Sequence, residues 1–165
     1  MRLEQYNLRY KELWNKFLED SKNGHFFFNR NFLEYHADRF EDSSLLVFDN
    51  KDKLIGLLPA NVRDKTLFSH QGLTFGGFII GNKMKTEIML DIFRELKLFC
   101  IEKEYKKIIY KCSPHTYHLK PSEEDLYALF MTGFNLIRRD VTSTINLTEK
   151  IKYREERKRA VKKAI

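Results

Sequence analysis

The chain has 165 residues, 42% of them hydrophobic and 14% aromatic, which suits one globular domain with a substantial core and excludes disordered and fibrous classes. Its net charge of +7 is unevenly placed: residues 150–165 hold eight Lys/Arg against two acids, leaving residues 1–149 at +1. No apolar run is long enough to span a membrane and the start lacks a signal-peptide pattern, so a cytoplasmic protein is expected. Two cysteines without CxxC spacing, Cys100 and Cys112, point to core thiols rather than a disulfide framework or a zinc site.

In chain order, a short opening strand is expected near residues 2–6. Tyr10, Leu13, Trp14, Phe17 and Leu18 then recur at helical spacing and predict a helix over 7–21. A second helix is predicted from Arg30 to Asp38, with Phe32, Leu33, Tyr35 and His36 as its less polar positions. The apolar runs 44–48 and 54–58, separated by Asp49-Asn-Lys-Asp52, read as a hairpin. A strand over 66–69 leads into the glycine-rich stretch 72–80, which has room for a fourth. Ile88, Met89, Ile92, Phe93, Leu96, Phe99 and Cys100 form an apolar stripe and predict a central helix over 84–104.

Residues 107–112 read as a buried strand that Pro114 ends. A helix follows from Ser122, as its cap, to Met131, stopped by Gly133. Strands at 134–138 and 141–147 and a charged helix over 149–165 complete a mixed α/β sheet protein. Residues 1–148 form the predicted domain and 149–165 a basic C-terminal helix. The tail residues Ile151, Val161, Ala164 and Ile165 leave a thin apolar stripe.

Motif chemistry is sparse. No HxxxH, HExxH, GxSxG, GxGxxG or Walker loop is present, so neither a metal site nor a phosphate cradle follows from motif. The stretch Ser69-His70-Gln71-Gly72-Leu73-Thr74-Phe75-Gly76-Gly77 interrupts a strand with three glycines, which marks either an irregular sheet turn or a ligand-lining site. The loop Pro114–Pro121, with Tyr117 and His118, is either a connector or a binding loop. Arg138-Arg139-Asp140 is either an anion-binding group or a self-neutralising charged turn. RNA binding through the tail is disfavoured, because Tyr153 is its one aromatic residue.

The element order, together with Phe27-Phe-Asn-Arg30, the stretch 35–45, Leu58-Pro-Ala-Asn61, Ser69–Gly77, Tyr117-His118 and Arg138-Arg-Asp140, resembles bacterial GNAT-superfamily acyltransferases of the FemAB-like branch, many of them associated with surface-polysaccharide loci. The resemblance implies a GNAT-like acyl-CoA N-acyltransferase fold, of which this chain looks like the first of two tandem domains plus the start of the connecting helix. It implies amide formation, in which an amine of a sugar or cell-envelope precursor attacks an acyl thioester or aminoacyl-tRNA. His70 is the residue expected to handle the proton or bind the acceptor, since its reference pKa of about 6.5 suits that work. Ser69, Gly72, Thr74, Gly76, Gly77, Tyr117, His118 and Arg139 are expected to line the acceptor site.

Two family features are missing. The [Q/R]xxGx[G/A] loop that holds the acyl-CoA pyrophosphate is replaced by Gly81-Asn-Lys-Met-Lys-Thr86. Leu129 and Phe130 stand where a general-acid tyrosine is usual, with Tyr127 one turn earlier. Acyl-CoA is therefore expected to bind mainly to a missing C-terminal half; the expected partner is that C-terminal GNAT-like domain or a homo-oligomer, with no metal and no nucleic acid. The competing reading is a non-catalytic interaction module.

Overall fold

The computed structural model describes every residue except His36, Leu147, Lys150, Ile151 and Ile165. β1 (Arg2–Gln5) is followed by a 3-10 turn at Leu8–Tyr10 and by α1 (Lys11–Glu19). The Asn7 side chain accepts the Arg9 amide at 3.2 Å, so the helix expected from residue 7 is entered through a capped tighter turn. Trp14 and Leu18, one turn apart, are its buried positions. A 3-10 turn at Phe26–Phe28 precedes α2 (Arg30–Glu34), which is shorter than expected and gives way to a further turn at Ala37–Arg39. His36 lies outside the described residues.

The remaining elements are β2 (Glu41–Asp42), β3 (Leu45–Phe48), β4 (Leu54–Leu58), β5 (Asn61–Arg63), β6 (Thr66–Phe68), β7 (Ile79–Ile80), α3 (Thr86–Glu102), β8 (Lys107–Ile109), α4 (Glu124–Met131) and α5 (Glu155–Ala164). The strands form two four-stranded sheets, β1-β3-β4-β7 and β2-β5-β6-β8, where one continuous sheet was expected. A single hairpin joins them. Leu45 faces Leu58 and Asp42 faces Asn61 in one unbroken register, with the Ser43 amide on the Ala60 carbonyl at 2.9 Å between them. Pro59 cannot donate to a ladder, and the Ser44 hydroxyl bonds the Ala60 amide at 3.1 Å and its carbonyl at 3.3 Å.

β3 is buried along its whole length because both faces are covered. Leu45 and Val47 join the core under α3, where Met89, Ile92, Phe93 and Leu96 are wholly buried, as the stripe predicts. Leu46 and Phe48 point the other way, into a second core with Trp14, Leu18, Phe28 and Leu33. Arg30 is buried there at 2% exposure, its guanidinium 3.4 Å from the Tyr6 ring centre and hydrogen-bonded to Asp42 and Ser44. That cation is tolerable in a core because carboxylate, hydroxyl and aromatic faces surround it.

Several expectations are corrected. Residues 134–146 form no strand, and Leu136, Ile137, Val141 and Ile145 are 59–97% exposed. Their apolar content satisfies the strand pattern, but they pair with no edge, and among the described residues β8 pairs only with β6. Leu147, the end of the second expected strand, is not among the described residues. Ser122 is buried without capping α4, which starts on Glu123 with no side-chain cap. Cys100 is buried as expected, whereas Cys112 is exposed beyond the end of β8. In the tail the helix spans only α5, none of whose residues is buried; Val161 is 58% exposed, and Ile151 and Ile165 lie outside the described residues.

Candidate functional site

The glycine-rich stretch is an excursion from one strand. From Phe68, opposite Asn61, to Ile79, opposite Leu57, the chain advances eleven positions while its partner advances four, so seven residues are looped out. The neck of this loop is closed by β8 and its continuation. The Ser69 amide donates to the Ile109 carbonyl at 2.9 Å, the Gly76 amide to the Lys111 carbonyl at 3.2 Å, and the Lys111 amide to Ser69 Oγ at 2.7 Å. A Cβ on Gly76 would lie 1.8 Å from the Ser69 carbonyl oxygen, so only glycine permits this approach.

Lys111 reaches into the loop. Its ammonium donates to the carbonyls of His70 at 3.2 Å, Gln71 at 3.0 Å and Leu73 at 2.5 Å, using all three of its protons on loop backbone. The Gln71 amide adds a bond to Asn61 Oδ1 at 2.6 Å, and Gly72 abuts the Phe40 ring. The loop is therefore held in one shape by Lys111, about forty residues downstream, and by Asn61 and Phe40 upstream of it.

His70 sits at φ +64° with its ring buried against Phe40, 5.1 Å between centres, and its Nδ1 makes no hydrogen bond. Burial pushes its pKa down to about 4, with Asp42 opposing and the Lys111 and Arg30 cations reinforcing the shift. It is a neutral imidazole at pH 7. Tyr117 meets the same loop elsewhere, stacked on Phe75 at 5.1 Å and edge-on to His25 at 5.2 Å, while Thr74 is exposed. Ser69, Gly76 and Gly77 are buried in the loop's base, whereas Gly72 is exposed near its tip. Arg139 is exposed in the stretch after Phe134, where Arg138 pairs with Asp140 at 2.9 Å as a self-neutralising charged turn would.

An aromatic wall beside Tyr117 was not read from the sequence as a site. His25, Phe26, Phe27, Phe32 and Phe75 are in mutual ring contact, and Phe26 and Tyr117 are about half exposed or more. The run His25-Phe26-Phe27-Phe28, which follows neither a helical nor a strand period, was the signal available.

β7 and β8 diverge, each bonded to a different sheet, and the fork between them is filled. Tyr110 Oη accepts the Phe78 amide at 2.7 Å and donates to Asp125 Oδ2 at 2.7 Å. Gly77, at φ +88°, leaves room for this phenol; a Cβ there would lie 2.7 Å from Oη. Burial, and then the Asp125 charge, hold the Tyr110 pKa well above its usual value, and burial raises that of Asp125. Asn23 bonds the Phe78 carbonyl at 2.8 Å and the Ile80 amide at 2.9 Å, and the Lys22 amide takes the Ile80 carbonyl at 2.8 Å. The Lys22 carbonyl in turn accepts the amides of Leu119 and Lys120, and its ammonium pairs with Glu124.

The loop before α3 and the second half of α4 are where this chain departs from the family pattern. In the loop before α3 the Met84 amide is turned back on the Gly81 carbonyl at 3.0 Å, and Glu87 occupies the helix's first turn. On α4, Leu129 is half-buried, and Phe130 and Tyr127 are 78% and 48% exposed. A cleft of about 1,050 Å³ lies between the start of α3 and α4, lined among others by His118, Glu87, Glu123, Glu124 and Tyr127. Among the described residues no three His, Cys, Asp or Glu gather as metal ligands, and no helix is long and apolar enough to cross a membrane.

No family model and no curated protein matches the sequence. Solved structures do resemble the fold. Aminoglycoside 6'-N-acetyltransferase AAC(6')-Ig from Acinetobacter haemolyticus aligns over 89% of this chain and 99% of its own, with TM-score 0.52 and 11% identity. AAC(6')-Ih from Acinetobacter baumannii covers 88% and 98%, with TM-score 0.53 and 11% identity. AAC(6')-Iy, solved in complex with CoA, covers 87% and 93%, with TM-score 0.55 and 12% identity. The chain therefore has the mixed helix-and-sheet fold of GNAT N-acetyltransferases.

Proposed function

We propose that this chain is the acceptor-binding half of a FemAB-like GNAT N-acyltransferase, acting on an amine of a sugar or cell-envelope precursor, with the acyl-CoA or aminoacyl-tRNA donor held mainly by a second GNAT-like domain or a partner copy. The observation that carries the reading is the filled fork. The amide and carbonyl of Phe78 and of Ile80 are bonded to Tyr110, Asn23 and Lys22, so an extended donor arm laid between the sheets would find the outward edge of β7 already taken. The fold's likeness to N-acetyltransferases, one of them in complex with CoA, supports acyl transfer to an amine as the overall reaction. The locked loop Ser69–Gly77, with Thr74 exposed and Tyr117 stacked on Phe75, offers a rigid surface that can orient an acceptor.

Calorimetry with acetyl-CoA at low and raised salt tests this. Weak binding that disappears as salt screens the basic tail is the expected result. Salt-resistant micromolar binding with 1:1 stoichiometry would place the donor on this half and overturn the division of labour. A second reading, a non-catalytic interaction module, is favoured by the exposed Leu136, Ile137, Val141 and Ile145. Mixing the chain with a donor-binding GNAT domain separates the two: acyl transfer to an amine that needs both parts supports the first, and complex formation without transfer supports the second.

A further inference from the structure

Two parts of the fold are incomplete in matching ways. The first is the outer edge of β8, the end strand of its sheet. The Ile109 carbonyl accepts the Ser69 amide, and the Lys111 carbonyl and amide bond the Gly76 amide and Ser69 Oγ, so these residues turn their backbone towards β6 and the loop. Successive strand residues alternate, which points the amides and carbonyls of Ile108 and Tyr110 the other way. There, among the described residues, no strand or loop backbone takes them. An uncovered edge of this kind is a template for a further strand.

The second is the stretch after α4. Phe134 is its last anchored residue, edge-on to Phe93 at 5.6 Å, and every residue from Asn135 to Asn146 is exposed. Val141-Thr-Ser-Thr-Ile145 is β-branched at four of its five positions, and residues 141–146 carry no charge. As a strand it would place Val141 and Ile145 on one face, beside Ile108, Tyr110 and Phe134, which form the partly buried margin of the core under α3.

Backbone geometry opposes closure within one chain. Hairpins with loops of two or three residues need a residue in the left-handed region. The β5–β6 hairpin has them, with Asp64 at φ +49° and Lys65 at φ +56° between the paired Arg63 and Thr66. Arg138-Arg139-Asp140 contains no glycine or asparagine and adopts no positive φ, so the segment beyond it is delivered outward instead of being folded back.

We propose that two copies of this chain exchange residues 141–146, each segment adding as a strand to the Ile108–Tyr110 edge of the other copy. One two-fold operation satisfies both edges and both segments and leaves neither over for further growth. The inference goes beyond the acyl-transfer reading and does not depend on it.

The test is sedimentation velocity of the whole chain across a wide concentration range, with amide hydrogen exchange at both ends of that range. Expected is a dimer that dissociates on dilution, with protection of Ile108, Tyr110 and alternate amides of 141–146 that rises with concentration. Ser143→Pro with Thr144→Pro removes one donor facing β8 in either register, and should raise the dimer dissociation constant about tenfold or more while leaving the melting curve of the monomer unchanged. Arg139→Asn with Asp140→Gly supplies the missing turn without weakening the strand, and should give a monomer whose 141–146 amides are protected at every concentration. A native chain that is monomeric throughout, or whose protection at Ile108 and Tyr110 is independent of concentration, would overturn the exchange. So would a dimer that neither pair of substitutions weakens, since another face would then hold it. None of these outcomes bears on acetyl-CoA binding, so the exchange and the acceptor-half reading fail separately.

Discussion

Protonation of His70 should destabilise the fold, and the size of the effect is set by its surroundings. The folded-state pKa is about 4 against an ordinary value of 6.5, a depression caused first by burial, opposed by Asp42 and reinforced by Lys111 and Arg30. The unfolded chain therefore binds a proton that the folded chain refuses between those two values, so stability is complete above about pH 6.5 and falls as pH drops towards 4. The full depression corresponds to about 3 kcal/mol, of which about 2 kcal/mol is lost by pH 5. In a chain of this length that is a melting shift of about 4–8 °C. His70→Asn removes the titration and keeps a residue that tolerates the left-handed backbone found at φ +64°. Thermal melts of both proteins at pH 7 and pH 5 isolate the term, since carboxylates and the other histidines contribute to both. Native chain losing about 2 kcal/mol more than the variant is the expected outcome. Parallel pH dependences would show that His70 protonates freely in the folded state.

Two further outcomes follow from the same geometry. Leu96 is wholly buried on the inner face of α3, so Leu96→Ala should lower unfolding free energy by about 2–5 kcal/mol in denaturant titration; an unchanged midpoint would remove it from the core. Lys111→Met keeps the apolar stem but deletes three bonds to loop carbonyls, and should cost about 2 kcal/mol while speeding amide exchange across residues 70–75 and not in α3. Uniformly accelerated exchange would mean that the lysine supports the whole fold rather than the loop.

By itself the sequence determined what depends on local periodicity and composition. The stripe from Met89 to Cys100 specified α3, the paired apolar runs around Asp49–Asp52 specified the β3–β4 hairpin, and three glycines marked residues 72–77 as an interruption. The order of these elements anticipated a mixed α/β sheet protein, and the resemblance carried by stretches such as Phe27–Arg30 and Ser69–Gly77 implied the GNAT-like fold that the structure has. Tertiary structure alone decided how the interruption is used. Lys111 reads as an isolated charge in an apolar strand, and Tyr110 as one more strand aromatic, until residues about thirty to forty positions away supply the carbonyls and the amide that they bind. The same holds for His70, whose type suggested proton handling or acceptor binding but whose burial against Phe40 lowers its pKa to about 4. The run 134–146 shows the converse, because an apolar pattern signals a strand only where an open edge is in reach to take its hydrogen bonds. Periodicity reports which face a segment can bury; which groups meet across that face is settled by contacts distant in sequence, and those contacts decide the filled fork and the locked loop.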